Sequence, residues 1–400
     1  MTEYVEGVIL TAGELMQLKL IQLSVPVNSA PVFDGHFDRD RFEVFTGQTA
    51  GVCYMPDTYT TLVNEPIENS LKRFNRILAD GHHSVADHTM VTLEIEDASK
   101  LFAMFLNNEK FYATSEKSAR YTKMQVDGLI SEIRTKWDEI LFDEIKARYG
   151  YQFKDGQIRK LANENSRYFT SVMTPTTFVY TTSVRQFNYL AHWFNQIANS
   201  DNELYKLIYA EGMEFCNQLD ALGLYYPELK DGKKRLFSLL GTRVRNEHFL
   251  DTYSVNYLGS WAMLAQAQRH RTLSYEMMRL ENKQYYVPKI LQSKPQLVDM
   301  WLRDMEKVAD LIPQGELLHI NERGTVENLV LQSLERLCSG AQKEIEATTK
   351  SKMDRFVAET TDSELREYVA DHAKGARCMS GFECNRPCGF KEGILLTRDI

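Results

Sequence analysis

Two segments of the chain repeat one order of hydrophobic and polar positions, and each is predicted to form a strand, a short helix and a polar loop. Strands are predicted where β-branched and apolar residues alternate, and helices where apolar residues cluster. The predicted elements are strand 89–95, helix 101–106 and polar segment 107–121 in the first copy, and strand 251–257, helix 261–265 and the run from residue 269 in the second. The chain therefore reads as two related halves.

Further helical regions and one break define the predicted domains. Residues 184–216 follow the first copy and residues 326–352 follow the second, and both regions are helical and rich in aromatic and charged residues. Proline, glycine and charged residues interrupt the helical pattern around residues 228–234. We predict an α+β fold of two halves, each an antiparallel sheet flanked by helices, with domains at residues 1–230, 231–361 and 362–400, the last being a helix and a cysteine-bearing tail.

Composition bounds the class of protein. The 400 residues are 43% hydrophobic and 26% charged, as in a globular protein with a large core. The formal net charge of -8 argues against a polymeric nucleic-acid partner. Neither an apolar run long enough to span a membrane nor a signal peptide is present, so we expect a cytoplasmic protein.

The run Arg269-His270-Arg271 is the strongest chemical signal. Two guanidiniums offer forked donors to phosphates or to ring carbonyls, and the histidine adds a planar donor or acceptor. Such a run suits a helix end wrapped around a ligand, although a bare triplet is more often a solvated basic turn. Its neighbours Gln266 and Ser274 complete the pattern Gln-x-x-Arg-His-Arg-x-x-Ser.

This pattern resembles the signature of flavin-dependent thymidylate synthases. The resemblance implies that Gln266 and Arg269 contact the nucleotide, while His270, Arg271 and Ser274 contact the flavin. The family pattern continues into a loop that binds the nucleotide phosphate, and there this half departs, with Glu281 at the place of an arginine.

The missing loop is found in the first half. By resemblance, the phosphate loop is formed by Glu116, Lys117, Ser118, Ala119 and Arg120. This half in turn carries residues 108–110, Asn-Glu-Lys, at the place of the triplet. We therefore predict a composite site to which each half contributes what the other has lost. The structural alternative for this loop is a helix start with a surface arginine.

Shorter matches to the family add further candidates. Arg167 and Arg336 are implied as nucleotide contacts, and Arg269 and Arg336 as the residues that stabilise negative charge developing on the uracil ring. The implied flavin contacts outside the triplet are His82, Arg185, Asn321 and Arg323. The alternative for such isolated matches is a structural role.

The resemblance implies a reaction and its partners. FAD reduced by NADPH, with methylenetetrahydrofolate as carbon donor, would methylate dUMP to dTMP, and a homodimer would imitate the family's tetramer. One alternative is hydroxymethylation or another change at C5 of a pyrimidine deoxynucleotide. An alternative from another class is a non-catalytic nucleotide-binding or assembly protein.

The C-terminal tail suggests a separate site. Cys378, Cys384 and Cys388 supply three soft ligands, with His372 as a fourth, so a structural zinc is one interpretation. Free cytosolic thiols or an iron-sulfur cluster are the alternatives.

Overall fold

The computed structural model describes residues 16–23, 37–118, 126, 128–232, 235–379, 381–383 and 397–400. Their strands are β1 Gln17–Leu23, β2 Met90–Ser99, β3 Ala113–Glu116, β4 Pro175–Ser183, β5 His248–Phe249, β6 Thr252–Ser260, β7 Ser274–Arg279 and β8 Leu317–Thr325. Their α-helices are α1 Arg39–Tyr54, α2 Tyr59–Leu62, α3 Ile67–Ala79, α4 Lys100–Leu106, α5 Gly128–Tyr149, α6 Asp155–Ser166, α7 Val184–Gln196, α8 Glu203–Ala221, α9 Trp261–Ala267, α10 Pro295–Lys307, α11 Val326–Arg336, α12 Lys343–Glu359 and α13 Ser363–His372.

The strands form two four-stranded sheets with the same topology. Their orders are β1-β2-β4-β3 and β5-β6-β8-β7, and every pair of neighbours is antiparallel. The predicted strands appear as β2 and β6, and the predicted helices as α4 and α9. The α+β prediction of two halves with antiparallel sheets is confirmed.

One polar contact is repeated in both halves. Ser99 caps α4, and its backbone N–H and hydroxyl donate to the carboxylate of Glu211 on α8, at 2.7 and 2.6 Å. Ser260 caps α9 and makes the same two bonds to Glu344 on α12, both at 2.7 Å. A buried carboxylate that accepts from a helix cap satisfies donors that the helix cannot. These contacts fix the correspondence of α4 with α9 and of α8 with α12.

Strand register extends this correspondence residue by residue. Ala113 on β3 pairs with Thr181, and Ser274 on β7 pairs with Arg323. The connections that lead into these strands, residues 107–112 and 268–273, have the same length. The structure therefore places residues 108–110 of the first half where the second half carries its triplet at 269–271.

The chain divides into two compact units. The first-sheet unit comprises Leu10–Lys117 and Pro175–Phe237, and the second-sheet unit includes Ser118–Thr174 and Ser238–Ile400. Helices α5 and α6 thus belong with the second sheet, although the predicted range 1–230 includes them. The predicted domain ranges follow the duplication in the sequence, whereas the compact units follow spatial packing. The predicted ranges therefore stay a prediction.

Each unit has its own aromatic core. In the second-sheet unit Trp301 packs against Trp137 and Phe169, with ring centroids 4.8 and 4.4 Å apart. In the first-sheet unit Phe102 stacks on Phe194 at 5.1 Å. Burial of these rings removes large apolar areas from water and so stabilises each unit. Within the described ranges, no helix is long and apolar enough to cross a membrane.

Candidate functional site

The triplet lies in the turn between α9 and β7. The backbone N–H of His270 donates to Ala267 O at 2.9 Å, and that of Leu273 donates to His270 O at 3.1 Å, so the turn continues directly from the helix end. Arg269 and Arg271 are exposed, whereas His270 is half-buried. The two guanidiniums are thus presented outward on either side of an inward histidine, at a helix end as predicted.

Polar atoms converge behind this turn. Arg336, at the end of α11, donates from Nη2 to the backbone carbonyl of Gln266 at 3.0 Å. The buried atoms Oε1 of Gln266 and Nε2 of His270 have no hydrogen-bond partner among the described residues. Buried polar atoms are nearly always satisfied in folded proteins, so these two are suited to a bound polar molecule. Three of the predicted site residues are therefore brought together here.

His270 is held in its neutral form. Burial and, to a smaller extent, the neighbouring charge of Arg336 together lower the pKa of the imidazole to about 3, against the opposing effect of Glu322. At neutral pH the ring therefore offers one N–H donor and one acceptor nitrogen. A neutral ring beside arginines can accept a hydrogen bond, which an imidazolium could not.

A second group of candidates lies on one face of the sheet. Ser274 on β7 stands opposite Arg323 on β8, whose Nη2 donates to Glu276 at 2.7 Å. Glu276 also accepts from Arg245 Nε at 2.8 Å. Within the described ranges, the buried atoms Nε of Arg323 and Oδ1 of Asn321 have no hydrogen-bond partner. Among the described residues, this face of the sheet therefore has one buried donor and one buried acceptor available to a ligand, beside β7, the strand that follows the triplet.

The opposite face of β8 carries a buried ionic network that sequence reasoning missed. Lys352 Nζ lies 2.7 Å from both carboxylate oxygens of Glu322 and 2.6 Å from Gln332 Oε1. The hydroxyls of Tyr253 and Tyr257 donate to the same carboxylate at 2.6 and 2.9 Å. Glu322 shares the inward parity of Leu318 and Ile320 on its strand, and a charge at an apolar position is the signal that could have revealed it.

The network reaches the triplet's turn through one tyrosine. Gln332 Nε2 donates to Tyr275 OH at 3.2 Å, and that hydroxyl donates to Ala267 O at 2.9 Å. Ala267 is the last residue of α9, and its carbonyl also accepts from the backbone of His270. The buried ion pair is therefore linked by hydrogen bonds to the start of the turn.

Arg167 lies at the end of α6, within the second-sheet unit. It is buried, and its Nη2 donates to Gln342 Oε1 beside the start of α12. The neighbouring Tyr168 donates to Glu344 at 2.7 Å, the carboxylate that also caps α9. Burial raises the pKa of Glu344, opposed by these hydrogen bonds and by the charge of Arg167. The structure gives Arg167 a partner in its own unit, and its role at the nucleotide stays a prediction.

The first half carries an ion pair at the place that corresponds to the triplet. Glu109 occupies the position of His270, is 1% exposed, and accepts from both Nη1 and Nη2 of Arg235 at 3.3 Å. The guanidinium of Arg235 lies 4.2 Å from the ring centroid of Trp193. At this position the first half therefore has a paired carboxylate, where the second half has a neutral imidazole that could bind a ligand.

The second half likewise carries an ion pair at the place that corresponds to the predicted phosphate loop. By strand register Arg279 stands where the first half has Ser118, and it donates from Nε and Nη2 to the buried carboxylate of Glu316 at 2.8 and 3.1 Å. Neutralised in this way, Arg279 replaces a hydroxyl that could donate to a phosphate.

The predicted phosphate loop is described in part. The carboxylate of Glu116 accepts from Lys100 Nζ and, at 3.4 Å, from Thr176 Oγ1, and the backbone N–H of Lys117 donates to Thr177 O at 3.0 Å. Ser118 follows, partly exposed. Ala119 and Arg120 lie outside the described residues.

Two predicted flavin contacts lie in the first-sheet unit. His82 Nδ1 is 2.6 Å from the hydroxyl of Tyr54. Arg185 is in the first turn of α7 and pairs with Asp87 at 2.5 Å. Its register differs from that of Arg323, because α7 and α11 begin at equivalent residues and Arg185 corresponds to Glu327 rather than to a strand residue. Both roles stay predictions.

The predicted metal ligands are only partly described. His372 Nδ1 lies 2.9 Å from Tyr368 O, and Cys378 is exposed and not in a disulfide. Cys384 and Cys388 lie outside the described residues, and within the described part of the chain no three potential ligands form a metal site.

Part of the chain is similar to a known family. Residues 41–203 match the family model described as thymidylate synthase complementing protein. Thymidylate synthase X from Helicobacter pylori, crystallised with FAD and dUMP, shares 12% identity, covering 54% of this chain and 99% of its own, at a TM-score of 0.31. The UMP/dUMP methylase PolB from Streptomyces cacaoi, bound with 5-Br dUMP, shares 14% identity, covering 52% and 90%, at a TM-score of 0.32.

No curated protein sequence matches the chain. The family match lies in the first half, where the phosphate loop is predicted, and confirms the predicted resemblance to these thymidylate synthases.

Proposed function

Because residues 41–203 carry a domain of the thymidylate synthase complementing protein family, we propose that this protein is a flavin-dependent enzyme that modifies C5 of dUMP. The finer proposal is methylation to dTMP, with methylenetetrahydrofolate as carbon donor and NADPH as reductant. The observation that carries it is the triplet turn, where a neutral His270 lies between two exposed arginines.

The residues of the second-sheet unit fit a flavin. An isoalloxazine presents carbonyls and ring nitrogens, which require matched donors and acceptors. Nε of Arg323, Nε2 of His270 and Oδ1 of Asn321 are buried polar atoms with no hydrogen-bond partner in the described part of the chain. With Arg271 and Ser274 they would hold FAD, which would supply the hydride chemistry that no side chain can perform.

Other side chains would bind and polarise the nucleotide. Arg269 and Gln266 would contact the pyrimidine, and Arg336, already fixed to the carbonyl of Gln266, would stabilise negative charge on the ring. A preorganised guanidinium does this without reorientation during the reaction. Arg167 would be a further nucleotide contact.

We propose that the nucleotide phosphate is bound by the loop of the other half, Glu116 to Arg120. The two replacements support this division. Glu109 with Arg235 fills the flavin place of the first half, and Arg279 with Glu316 fills the phosphate place of the second. Each half thus keeps one part of a site, and a homodimer would supply both parts twice.

Flavin binding is the first test. We expect purified protein, or protein incubated with FAD, to show flavin absorbance in the visible range. Arg323→Ala should weaken FAD binding about tenfold, since a hydrogen bond from a charged group contributes about 1.5 kcal/mol or more. Lys374→Ala, which removes an exposed pair with Asp371, is the control and should bind as the parent does. A colourless protein that takes up no FAD would contradict the proposal and favour a non-catalytic nucleotide-binding protein.

The composite site is tested by dUMP binding. Arg269→Ala and Arg120→Ala should each weaken dUMP binding at least tenfold, because each removes a charged donor from the same ligand. Unchanged affinity in Arg120→Ala would refute the shared site while leaving the flavin proposal standing. Mass spectrometry of the product separates methylation from hydroxymethylation, since the two products differ by one oxygen.

A further inference from the structure

In each half a tyrosine donates a hydrogen bond to the C-terminal carbonyl of the short helix, α4 or α9, but the two tyrosines lie on different strands. In the first-sheet unit Tyr180 on β4 donates to Leu106 O, the last carbonyl of α4, at 2.9 Å. In the second-sheet unit the corresponding carbonyl, Ala267 O, accepts from Tyr275 on β7, also at 2.9 Å. Tyr180 pairs across the strands with Thr114, and Tyr275 pairs with Glu322. The tyrosine has therefore changed strand, and Glu322 stands at the position that Tyr180 holds in the first half.

The environment of the two tyrosines also differs. Around Tyr275 the second-sheet unit buries Glu322, Lys352 and Gln332. At the places of Lys352 and Gln332, the correspondence of helices puts Leu219 and Leu190 in the first-sheet unit, and both leucines are fully buried. An apolar arrangement therefore supports the same fold in the same chain. A buried ion pair is seldom the more stable choice, so its presence in one half alone requires a reason other than folding.

The half that keeps the ionic network is the half that keeps the triplet. We propose that Tyr275, oriented by Gln332 and the Glu322–Lys352 pair, is a positioning residue that sets the turn of residues 268–273 for flavin binding. The hydroxyl of Tyr275 donates to Ala267 O, the carbonyl at which that turn starts, and the same hydroxyl accepts from Gln332 Nε2. The inference rests on the proposed flavin function.

Hydrogen bonds form one short, continuous chain from Lys352 to the turn. Ala267 O is shared by Tyr275 OH and the backbone N–H of His270, so a change in that carbonyl moves the histidine directly. Lys352 fixes the amide oxygen of Gln332, which leaves its amide nitrogen directed to Tyr275. The corresponding residue of the first half, Leu190, has no side-chain amide and cannot orient a tyrosine hydroxyl in this way.

The test compares the two tyrosines. Tyr275→Phe and Tyr180→Phe each remove one hydroxyl that donates to the last carbonyl of a short helix, and both keep the ring. We expect similar falls in melting temperature, but a five- to tenfold rise in the Kd of FAD for Tyr275→Phe alone, measured by quenching of flavin fluorescence. Gln332→Leu should raise this Kd as well, and the double variant should do no more than Tyr275→Phe.

Three outcomes would overturn the inference. Equal FAD affinity in the parent and Tyr275→Phe would show that the turn needs no such support. An equal rise in Kd for Tyr180→Phe would show a general effect of stability. Failure of the parent protein to bind FAD would refute the proposed function itself, and is distinguished from the first two because no variant is needed to see it.

Discussion

Loss of the buried lysine should leave an uncompensated charge in the second-sheet unit. Burial by itself raises the pKa of the Glu322 carboxyl, but the charge and hydrogen bonds of Lys352 hold that pKa below its usual range. Glu322 and Lys352 are both almost fully buried. Removing one member of such a pair typically destabilises a protein by about 3–5 kcal/mol. We expect Lys352→Met to lose a free energy of unfolding in this range at pH 7.

The pH dependence follows from the sign of the pKa changes. In the parent, the lowered pKa of Glu322 contributes stability above the carboxyl's unfolded pKa, and this is lost as pH falls through the folded pKa. In Lys352→Met the folded pKa should be raised, so the carboxyl is most destabilising at neutral pH and less so once protonated. The deficit of the variant should therefore be smaller at pH 4.5 than at pH 7.

Urea unfolding monitored by tryptophan fluorescence can measure this. Trp137, Trp261 and Trp301 lie in the second-sheet unit, so the signal reports mainly on the unit that is perturbed. Glu322→Gln in the Lys352→Met background removes the unpaired charge and keeps an oxygen acceptor, and it should recover part of the loss. A loss below about 1 kcal/mol in Lys352→Met, or no recovery in the double variant, would refute the reasoning.

Three further results are expected. His270, whose pKa burial lowers to about 3, should show no titration of its ring resonances by NMR between pH 8 and 5, whereas a midpoint near 6.5 would contradict its burial. Arg235→Ala should lower the stability of the first-sheet unit by about 1.5–3 kcal/mol in urea unfolding, because it removes a charged donor from the buried carboxylate of Glu109. FAD bound per chain should stay unchanged, because Glu109 still occupies the position of His270, and a second equivalent of FAD would contradict this. Arg398→Ala should destabilise the second-sheet unit by about 2–3 kcal/mol in the same assay, because its buried guanidinium donates to Ala341 O and Glu346; a loss below about 0.5 kcal/mol would contradict this.

The repeated order of elements could be predicted because it depends on local patterns. The alternation in β2 and β6 and the apolar clusters of α4 and α9 are visible in the sequence, and the structure confirms these elements. The placement of the triplet at a helix end also followed from residue types alone. These features involve neighbours in sequence, for which spacing determines geometry.

The contacts that the sequence did not predict join residues far apart in the chain. Lys352 and Glu322 are adjacent only because α12 packs on the sheet, and Arg235 reaches Glu109 across more than a hundred residues. A charged residue at an inward strand position was visible, but its partner was not. The assignment of α5 and α6 to the second-sheet unit likewise depends on packing that no local pattern records.

Comparison of the halves separates residues needed for the fold from residues kept for a ligand. Ser99 with Glu211 and Ser260 with Glu344 make the same bonds in both units, so this contact belongs to the shared fold. The differences lie beside the two predicted binding loops. At His270 one half keeps a neutral imidazole where the other buries a paired glutamate. Both arrangements fold, so the fold alone does not require an imidazole at this position.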